Sequence, residues 1–332
     1  MTRMKAIGSY AALPLDDPNA LQDVEVDVPE LRPHDILVRV LAVSVNPVDG
    51  KRRSSLDASS APTILGYDAA GVVEAVGPAV TTLSVGDEVW YAGDVSRPGT
   101  NAEFHAVDER IVAPKPTSLS FAEAAALPLT TITAWESLFE RFGLTESSKG
   151  YLLVLGAAGG VGSIMIQLAK ALTSVTVIGT ASREESRNWA TEMGADAVIG
   201  HHDLSAEVAL VAPAGIDYLF SPHSTGNVDA YAEVMKPFGH ITAIDDPVDL
   251  DLAPLKPKSI AWHWELMFTR SLFGIDMIAQ QTLLRRTAEL VDAGVLRTTL
   301  TKTIADFSAT GMREAHRDIE SGRVTGKVVI TR

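Results

Sequence analysis

The chain has 332 residues, of which 46% are hydrophobic and 21% charged, as in an ordinary globular protein of about two domains. It contains no cysteine, which excludes disulfide bonds, thiolate metal ligands and cysteine nucleophiles. The formal net charge of −14 repels nucleic-acid phosphate and anionic lipid, so we expect no nucleic-acid partner. No apolar segment of the kind found in a signal peptide follows the N-terminus, and a cytoplasmic location is expected.

The first third of the chain alternates short apolar segments with polar turns. Candidate strands over residues 36–45, 71–76 and 87–92 are rich in β-branched or aromatic residues. Turn residues such as Pro33 and Gly86 separate them. This pattern predicts a small barrel or sandwich.

From about Ser120 onward, strands alternate with helices. Ser120 and Glu123 form an S-x-x-E capping box that predicts a helix start, and a further helix is predicted over 131–142. The predicted apolar strands that follow lie at 151–155, 175–179, 197–199, 217–220, 240–244 and 259–264, with helices at about 161–172 and 182–193. Continuous apolar strands alternating with helices indicate a parallel sheet covered on both faces.

The C-terminal part contains a predicted helix over about 277–293, ended by Gly294, and a closing strand over 326–331. The strand is rich in β-branched residues, and no helix follows it. We therefore expect it to return to the β-rich first domain.

The most informative segment joins an apolar strand to an apolar helix through a glycine-rich turn. Gly156, Gly159 and Gly162 are spaced by three residues, which differs slightly from the strict G-x-G-x-x-G pattern. The match requires Gly160 or Ala157 to lie where the second glycine of that pattern would be. Glycines let the backbone approach a pyrophosphate, and the helix N-terminus presents unpaired N–H groups to it. The context predicts a dinucleotide-binding turn, with a plain βα turn as the alternative.

Five residues of this turn are expected to contact the cofactor: Ala158, Gly159, Gly160, Val161 and Gly162. Residues 150–169 carry no formal charge and are long enough to span a bilayer. Their glycine cluster favours a turn between strand and helix, so no membrane partner is expected.

The end of the second strand of this region favours NADP over NAD. An NAD-binding domain typically places an Asp or Glu there, which bonds the ribose 2′-OH. This chain instead has Ser182 and Arg183, whose hydroxyl and guanidinium can bond a 2′-phosphate. Glu184 and Glu185 add nearby negative charge, and Ser182 with Glu185 also forms a capping box, so Ser182 can equally start a helix.

Several segments together resemble the medium-chain dehydrogenase/reductase superfamily, in particular its zinc-independent quinone oxidoreductases. The resemblance covers nearly the whole chain and rests on the segments 66–77 (GYDAAGVVEAVG), 85–89 (VGDEV), 128–131 (PLTT), 134–135 (AW) and 156–163 (GAAGGVGS). It implies an α/β fold with a Rossmann doubly wound parallel sheet over 128–269. A β-rich GroES-like substrate domain over 1–127 and 270–332 completes the implied architecture.

The resemblance also implies the reaction, a hydride transfer from NADPH to a small quinone or α,β-unsaturated carbonyl, and a homodimer. Two alternatives remain: a zinc-free aldehyde or alcohol oxidoreductase, and an NADPH-binding redox sensor with little turnover. No G-x-S-x-G, H-E-x-x-H or G-x-x-x-x-G-K-[ST] motif points to another chemistry.

Zinc-dependent members of the superfamily hold their catalytic metal with Cys and His. Their first Cys aligns near Asn46, and their His aligns with Tyr67. The later Cys and the four-cysteine structural lobe cannot exist in a chain without cysteine. The resemblance therefore implies no metal site of the usual kind and no zinc.

Three residues near the nicotinamide are implied by the resemblance. Tyr67 is the candidate catalytic residue, because its hydroxyl can bond a substrate carbonyl or donate a proton, although it can also simply fill the space of the metal. Asn46 is expected near the nicotinamide, with turn chemistry as the alternative. Thr131 is expected to bond the cofactor, with a helix cap as the alternative.

Two further cofactor contacts are implied, each with a plainer alternative. His201 is expected near the 2′-phosphate, or else is an exposed loop histidine. His201 and His202 follow the third strand, and because adjacent strand residues point to opposite faces, the two are expected to be poor joint metal ligands. Lys327 is expected to reach the cofactor phosphate, or else is a surface strand lysine. Trp262 and Trp264 place two indoles on one face of a candidate edge strand, a plausible dimer surface.

Overall fold

The computed structural model describes residues 2–332. It divides into two compact units: the chain up to Leu129 together with Phe268–Arg332, and Thr130–Met267. We call these the β-rich unit and the nucleotide unit. The boundaries expected from the sequence, at 128 and 269, lie close to these.

The strands before Leu129 are β1 (Arg3–Ser9), β2 (Gln22–Asp27), β3 (Asp35–Ser44), β4 (Thr63–Ile64), β5 (Asp68–Val76), β6 (Glu88–Ala92), β7 (Phe104–Asp108) and β8 (Val112–Pro114). The helices of this part are α1 (Pro47–Ser54) and α2 (Phe121–Ala125), with a 3₁₀ turn at Glu109–Ile111.

The next part begins with α3 (Pro128–Trp135), which continues directly into a π-helical segment, Glu136–Arg141. Its strands are β9 (Tyr151–Val154), β10 (Thr176–Thr180), β11 (Ala197–Ile199), β12 (Ile216–Ser221), β13 (Met235–Ala243) and β14 (Ala261–Trp264). Its helices are α4 (Gly160–Leu172), α5 (Glu184–Glu192), α6 (Leu204–Val211) and α7 (Val228–Val234), with a 3₁₀ segment at Ala253–Lys258.

The C-terminal part contains α8 (Thr269–Phe273), α9 (Ile278–Asp292), β15 (Leu300–Ile304), α10 (Ala309–Glu320) and β16 (Lys327–Thr331).

The β-rich unit is built around β3. One sheet has the order β15-β16-β3-β5-β6-β8, with β7 also paired to β3, and a second has the order β2-β1-β4. Val38 and Val40 of β3 are fully buried among the other strands, as expected for β-branched residues on a packed sheet. β16 runs antiparallel to β3, so the prediction that the closing strand returns to this unit is confirmed.

The nucleotide unit is a parallel sheet in the order β11-β10-β9-β12-β13-β14. This is the doubly wound Rossmann order, in which the direction of winding switches between the first and the fourth strand, here β9 and β12. Leu152, Leu153 and Val154 of β9 are fully buried, because helices cover a parallel sheet on both faces. The predicted Rossmann fold is confirmed. Within residues 2–332, no helix has both the length and the apolar character that crossing a membrane requires.

The structure corrects local expectations. The capping box of Ser120 and Glu123 forms as predicted, with both reciprocal hydrogen bonds. The one proposed for Ser182 is wrong, because α5 starts at Glu184 and has Arg183 at its N-cap without a side-chain cap bond. Helices α1 and α10 were not predicted from the sequence.

Candidate functional site

The glycine turn lies at the carboxyl end of β9 and opens α4. Gly156 has a φ of 66°, in the left-handed region that favours glycine. A Cβ on Gly162 would lie 2.6 Å from the carbonyl oxygen of Gly156, so only glycine lets the helix start this close to the turn. Thr180 of β10 supports the turn, since its hydroxyl accepts the N–H of Gly156 at 3.0 Å.

The predicted contact residues are brought together at the helix N-terminus. The N–H of Ser163 donates to the carbonyl of Gly159 at 2.9 Å. The N–H groups of Gly160, Val161 and Gly162 come before it and have no carbonyl four residues back within the helix. Such a helix end with a glycine cradle fits the pyrophosphate of a dinucleotide.

Ser182 and Arg183 lie at the carboxyl end of β10, and both are exposed. Arg187, which the sequence reasoning missed, donates to the carbonyls of Ala181 at 3.2 Å and Val198 at 2.6 Å. Arg187 thereby connects the carboxyl end of β10 to β11, and its side chain stabilises the backbone of these two strands. The exposed Glu184 and Glu185 open α5 directly behind the pair.

His201 and His202 lie in the loop after β11, where both are exposed. Their ring centroids are 4.6 Å apart. The expectation that strand alternation would point the two rings to opposite faces is wrong, because the strand has already ended at Ile199.

Thr131 of α3 is fully buried, and its hydroxyl has no hydrogen-bond partner in the described chain. An unsatisfied buried hydroxyl costs about 1–3 kcal/mol. A ligand that bonds this hydroxyl would remove the penalty. Together with the glycine cradle, the orphan hydroxyl means that the residues of the nucleotide unit fit a bound dinucleotide.

The β-rich unit has a buried polar cluster around Lys327. The Lys327 ammonium, 2% exposed, donates to the carboxylate of Asp68 at 3.2 Å and to the carbonyl of Val45 at 3.2 Å. It also donates to the side-chain oxygen of Asn46, whose amide nitrogen donates to Asp68 at 2.8 Å. The structure thus joins two residues predicted to touch the cofactor, Asn46 and Lys327, to each other.

Two carboxyl groups of this cluster were missed as site residues from the sequence. Burial raises the pKa of Asp68, while Lys327, Asn46 and the N–H of Leu129 at 2.7 Å oppose the shift. Burial also raises the pKa of Asp49 to about 7, against the N–H of Asn46 at 2.7 Å. No sequence motif marks these acids, since the cluster forms only when β5, α1 and β16 meet.

Tyr67 is 3% exposed, and its ring packs edge-on against Phe268 at 5.1 Å between centroids. Burial and then the nearby Asp49 raise the pKa of Tyr67 to about 12, while the positive charge of the nearby Arg52 lowers it. The hydroxyl therefore keeps its proton at neutral pH. Arg52, which the sequence reasoning also missed, is exposed and further donates to the carbonyl of Val95.

The fold and the two groups of residues define a two-domain, dinucleotide-binding oxidoreductase, and comparison with known proteins specifies the family. Residues 32–117 match the alcohol dehydrogenase GroES-like domain, and residues 193–330 match the zinc-binding dehydrogenase family. The chain belongs to the medium-chain dehydrogenase/reductase superfamily and is quinone oxidoreductase-like. It is an NAD(P)-binding oxidoreductase of that superfamily, with the predicted α/β and GroES-like architecture.

Two relatives and two solved structures illustrate the likeness. The chain is 40% identical to a zinc-type alcohol dehydrogenase-like protein of Staphylococcus epidermidis, over 98% of this chain and 99% of the relative. It is 32% identical to a chloroplastic NADPH-dependent alkenal/one oxidoreductase of Arabidopsis thaliana, over 91% of this chain and 73% of the relative.

Both structures align with the whole chain. A Rhizobium etli protein described as a zinc-dependent alcohol dehydrogenase has 47% identity and a TM-score of 0.95 over 100% of this chain and 99% of its own. The quinone oxidoreductase of Coxiella burnetii has 26% identity and a TM-score of 0.82 over 100% of both chains.

The names of some relatives imply zinc, and the donor set at the corresponding position does not fit it. Asn46 and Tyr67 offer an amide and a protonated phenol, where zinc favours thiolate, imidazole or carboxylate. The Asp68 carboxylate and the Asn46 side-chain oxygen already accept hydrogen bonds from the buried ammonium of Lys327. A dication added beside that ammonium would be repelled strongly in a buried site.

Proposed function

We propose that this protein is an NADPH-dependent, zinc-independent oxidoreductase that transfers a hydride to a quinone or an α,β-unsaturated carbonyl compound. Membership of the family makes the chain an NAD(P)-binding oxidoreductase. The choice of nucleotide, of acceptor and of a metal-free reaction is the proposal.

The observation that carries the choice of NADPH is the exposed pair Ser182–Arg183 at the carboxyl end of β10. A carboxylate at this tip would bond a ribose 2′-OH and repel a 2′-phosphate, whereas a hydroxyl and a guanidinium can bond the phosphate. His201, exposed at the end of the neighbouring β11, is proposed to add a contact to the same group. The Arabidopsis relative is named for NADPH and for an alkenal or enone acceptor, in line with this choice.

When bound, the nicotinamide supplies the hydride, and the chain must bind the acceptor and manage its charge. Hydride addition to an enone or quinone moves an electron pair onto the acceptor oxygen. We propose that the Tyr67 hydroxyl donates a hydrogen bond and then its proton to that oxygen. The Arg52 guanidinium, whose charge lowers the pKa of Tyr67, would stabilise the phenolate left behind.

The cluster of Lys327, Asp68 and Asn46 takes the place of a metal in this proposal. Its ammonium is fixed by three oxygen acceptors and holds Asn46 in one orientation. We propose that Asn46 and Lys327 contribute to cofactor binding from this fixed arrangement, while Thr131 bonds the cofactor through its unpartnered hydroxyl. Residues Ala158–Gly162 would hold the pyrophosphate.

The proposal is tested by turnover with NADPH and NADH against a simple quinone, an enone and an aldehyde, with and without a strong zinc chelator. We expect NADPH to be oxidised with the quinone or the enone, and the chelator to leave the rate unchanged. Turnover only with aldehydes, a preference for NADH or a loss of activity with chelator would each contradict one part of the proposal. Binding without turnover on any acceptor would favour the redox-sensor alternative.

A homodimer in the cytoplasm completes the proposal. Within residues 2–332, strand β14 pairs with β13 and with no other strand, so it is an edge strand of the sheet. Trp262 and Trp264 lie on one face of it with ring centroids 5.5 Å apart, and Trp264 is 50% exposed. An aromatic edge of this kind favours pairing with a second copy. Light scattering should give a dimer mass for the wild type and a monomer mass for Trp264→Glu.

A further inference from the structure

A cavity of about 570 Å³ lies within the β-rich unit and has no part in the proposed chemistry. Much of its lining is apolar, since Met4, Val26, Ile64 and Phe104 line it and belong to one small hydrophobic cluster. Sites for small organic molecules typically have this size, apolar walls and a few polar groups. The cavity can therefore receive an apolar molecule or the apolar part of a larger one.

One wall of the cavity is residues 95–99, in the loop between β6 and β7. Two nitrogens of the Arg97 guanidinium donate to the two carboxylate oxygens of the buried Asp35, at 2.8 and 2.6 Å. The carbonyl of Pro98 accepts a hydrogen bond of 3.0 Å from Nε2 of His105. A wall held by side chains in this way is ordered before a ligand arrives, which lowers the entropic cost of binding.

The same loop adjoins Tyr67, the candidate proton donor. The N–H of Gly93, before the wall, donates to the carbonyl of Tyr67 at 2.9 Å, and the N–H of Gly99, at its end, donates to the carbonyl of Ile64 at 2.8 Å. A Cβ on Gly99 would lie 2.4 Å from the carbonyl oxygen of Gly66, so only glycine lets the two segments approach this closely. Backbone hydrogen bonds thus connect the cavity wall directly to the segment that carries Tyr67.

The charged groups of the lining leave a local excess of positive charge. They are Arg32, Arg52, Arg97, Asp27 and Glu30. Asp35 compensates Arg97, and Arg3 pairs with Asp27 at 3.2 Å. Arg32 and Arg52 are exposed and form no ion pair within residues 2–332. Two uncompensated arginines therefore face one such carboxylate, that of Glu30, in a chain whose formal net charge is −14.

Arg52 connects the positive side of the cavity with the candidate proton donor. It donates to the carbonyl of Val95, a residue of the cavity wall, at 3.4 Å. Its charge also lowers the pKa of Tyr67. A guanidinium presents five N–H donors in a planar fork that matches a carboxylate. With one bond to Val95, Arg52 retains donors for a ligand.

We propose that this cavity binds the tail of the acceptor, and that Arg32 and Arg52 bind a carboxylate carried by that tail. The acceptor is then an amphipathic quinone or α,β-unsaturated carbonyl compound, with its reactive oxygen at the Tyr67 hydroxyl and its apolar part against Val26 and Phe104. The inference rests on the proposed function, because it names the substrate class of the same site.

The balance of charge favours a carboxylate over other groups. A neutral tail gains nothing from the two guanidinium groups, whereas a carboxylate can bond both. Once Glu30 is counted, the lining has an excess of one positive charge. Such an excess suits a monoanion better than a phosphate, whose second negative charge would stay uncompensated.

The first test measures kcat/KM with NADPH for a naphthoquinone that carries a short carboxyalkyl chain and for its methyl ester. The wild type should prefer the acid by about tenfold, from charge-assisted hydrogen bonds. Arg32→Ala and Arg52→Ala should each reduce this ratio to about twofold or less. A loss that Arg52→Ala causes through Tyr67 affects acid and ester alike, so the ratio is insensitive to it. Arg39→Ala is the matched control, an exposed arginine of β3 paired with Glu74 outside the cavity, and should keep the wild-type ratio.

The second test needs no turnover. Calorimetry of the protein without NADPH should show binding of phenylbutyrate and none of phenylbutanol, with phenylbutyrate bound about tenfold more weakly by Arg32→Ala than by Arg39→Ala. Equal kcat/KM for acid and ester, an acid preference that both arginine variants retain, or no binding of phenylbutyrate would each overturn the inference and leave the proposed function intact. Binding of phenylbutyrate that depends on Arg32, without turnover on any acceptor, would instead reject the proposed function and support the anion site.

Discussion

The ammonium of Lys327 and the carboxylate of Asp68 lie 3.2 Å apart, although 259 residues separate them in the chain. Both side chains are almost completely buried. Their contact joins β16, the last strand, to the start of β5 within the β-rich unit. Because both charges are buried, each needs the opposite charge of the other to offset the free-energy cost of its burial.

Replacing Lys327 with Met should destabilise the protein strongly. The substitution leaves the Asp68 carboxyl buried without its cation, which typically costs about 3–5 kcal/mol. Urea denaturation measures the free energy of unfolding. The control is Lys302→Met, because Lys302 of β15 forms ion pairs with Glu314 and Asp318 at the surface, where such pairs are worth about 1 kcal/mol or less. Equal losses for the two variants would contradict the assigned role of Lys327.

Replacing Arg183 with Ala should weaken NADPH binding and leave NADH binding nearly unchanged. A hydrogen bond from a charged group is worth about 1.5–3 kcal/mol, so we expect roughly a tenfold to hundredfold rise in the dissociation constant for NADPH. Arg286→Ala is the control, an exposed arginine of α9. Equal weakening for both nucleotides would argue against a contact with the 2′-phosphate.

Replacing Tyr67 with Phe should reduce kcat by about a hundredfold, the lower end of what a positioned proton donor contributes. The KM for NADPH should stay the same, because the ring and its packing on Phe268 are kept. With a pKa near 12, Tyr67 remains protonated up to about pH 11. Steady-state kinetics from pH 6 to 10 should therefore show no loss of rate from its ionisation. An unchanged kcat in the Phe variant would mean that Tyr67 only fills space.

Replacing His316 with Leu should reduce the sensitivity of the protein to acid. His316 of α10 is 1% exposed, and neither ring nitrogen has a hydrogen-bond partner in residues 2–332. Burial, and then the charge of Arg53, lower its pKa to about 4. Since the unfolded histidine takes up a proton near pH 6.5, stability present above that pH is lost as the pH falls toward 4.

The loss for His316 is on the order of 3 kcal/mol at pH 4, from the size of the shift. Leu has no proton to gain, so the melting temperature of the variant should fall less than that of the wild type between pH 7 and 5. His34→Leu is the control, because His34 has a half-exposed side chain. If the melting temperature of His316→Leu falls as much as that of the wild type, the acid sensitivity arises from groups other than His316.

Local patterns account for much of what the sequence predicts about the fold. Strand, glycine turn and helix at Tyr151–Leu172 are set by neighbouring residues: an apolar run, glycines at a sharp turn and an apolar helix start. The capping box at Ser120 is equally local. At Ser182 the local signal failed, because the helix began two residues later and left Ser182 and Arg183 exposed at the strand tip.

The chain alone therefore determined the alternation of strands and helices, the phosphate turn, the absence of cysteine ligands and the family to which it belongs. Only the tertiary structure decided that Lys327 compensates Asp68 beside Asn46, that the charge of Arg52 acts on Tyr67, and that Glu265 meets Arg141 across 124 residues of sequence. The reason is physical: periodicity and turn chemistry act over a few residues. The protonation and the partners of a buried group are fixed by whichever distant side chains the fold packs against it.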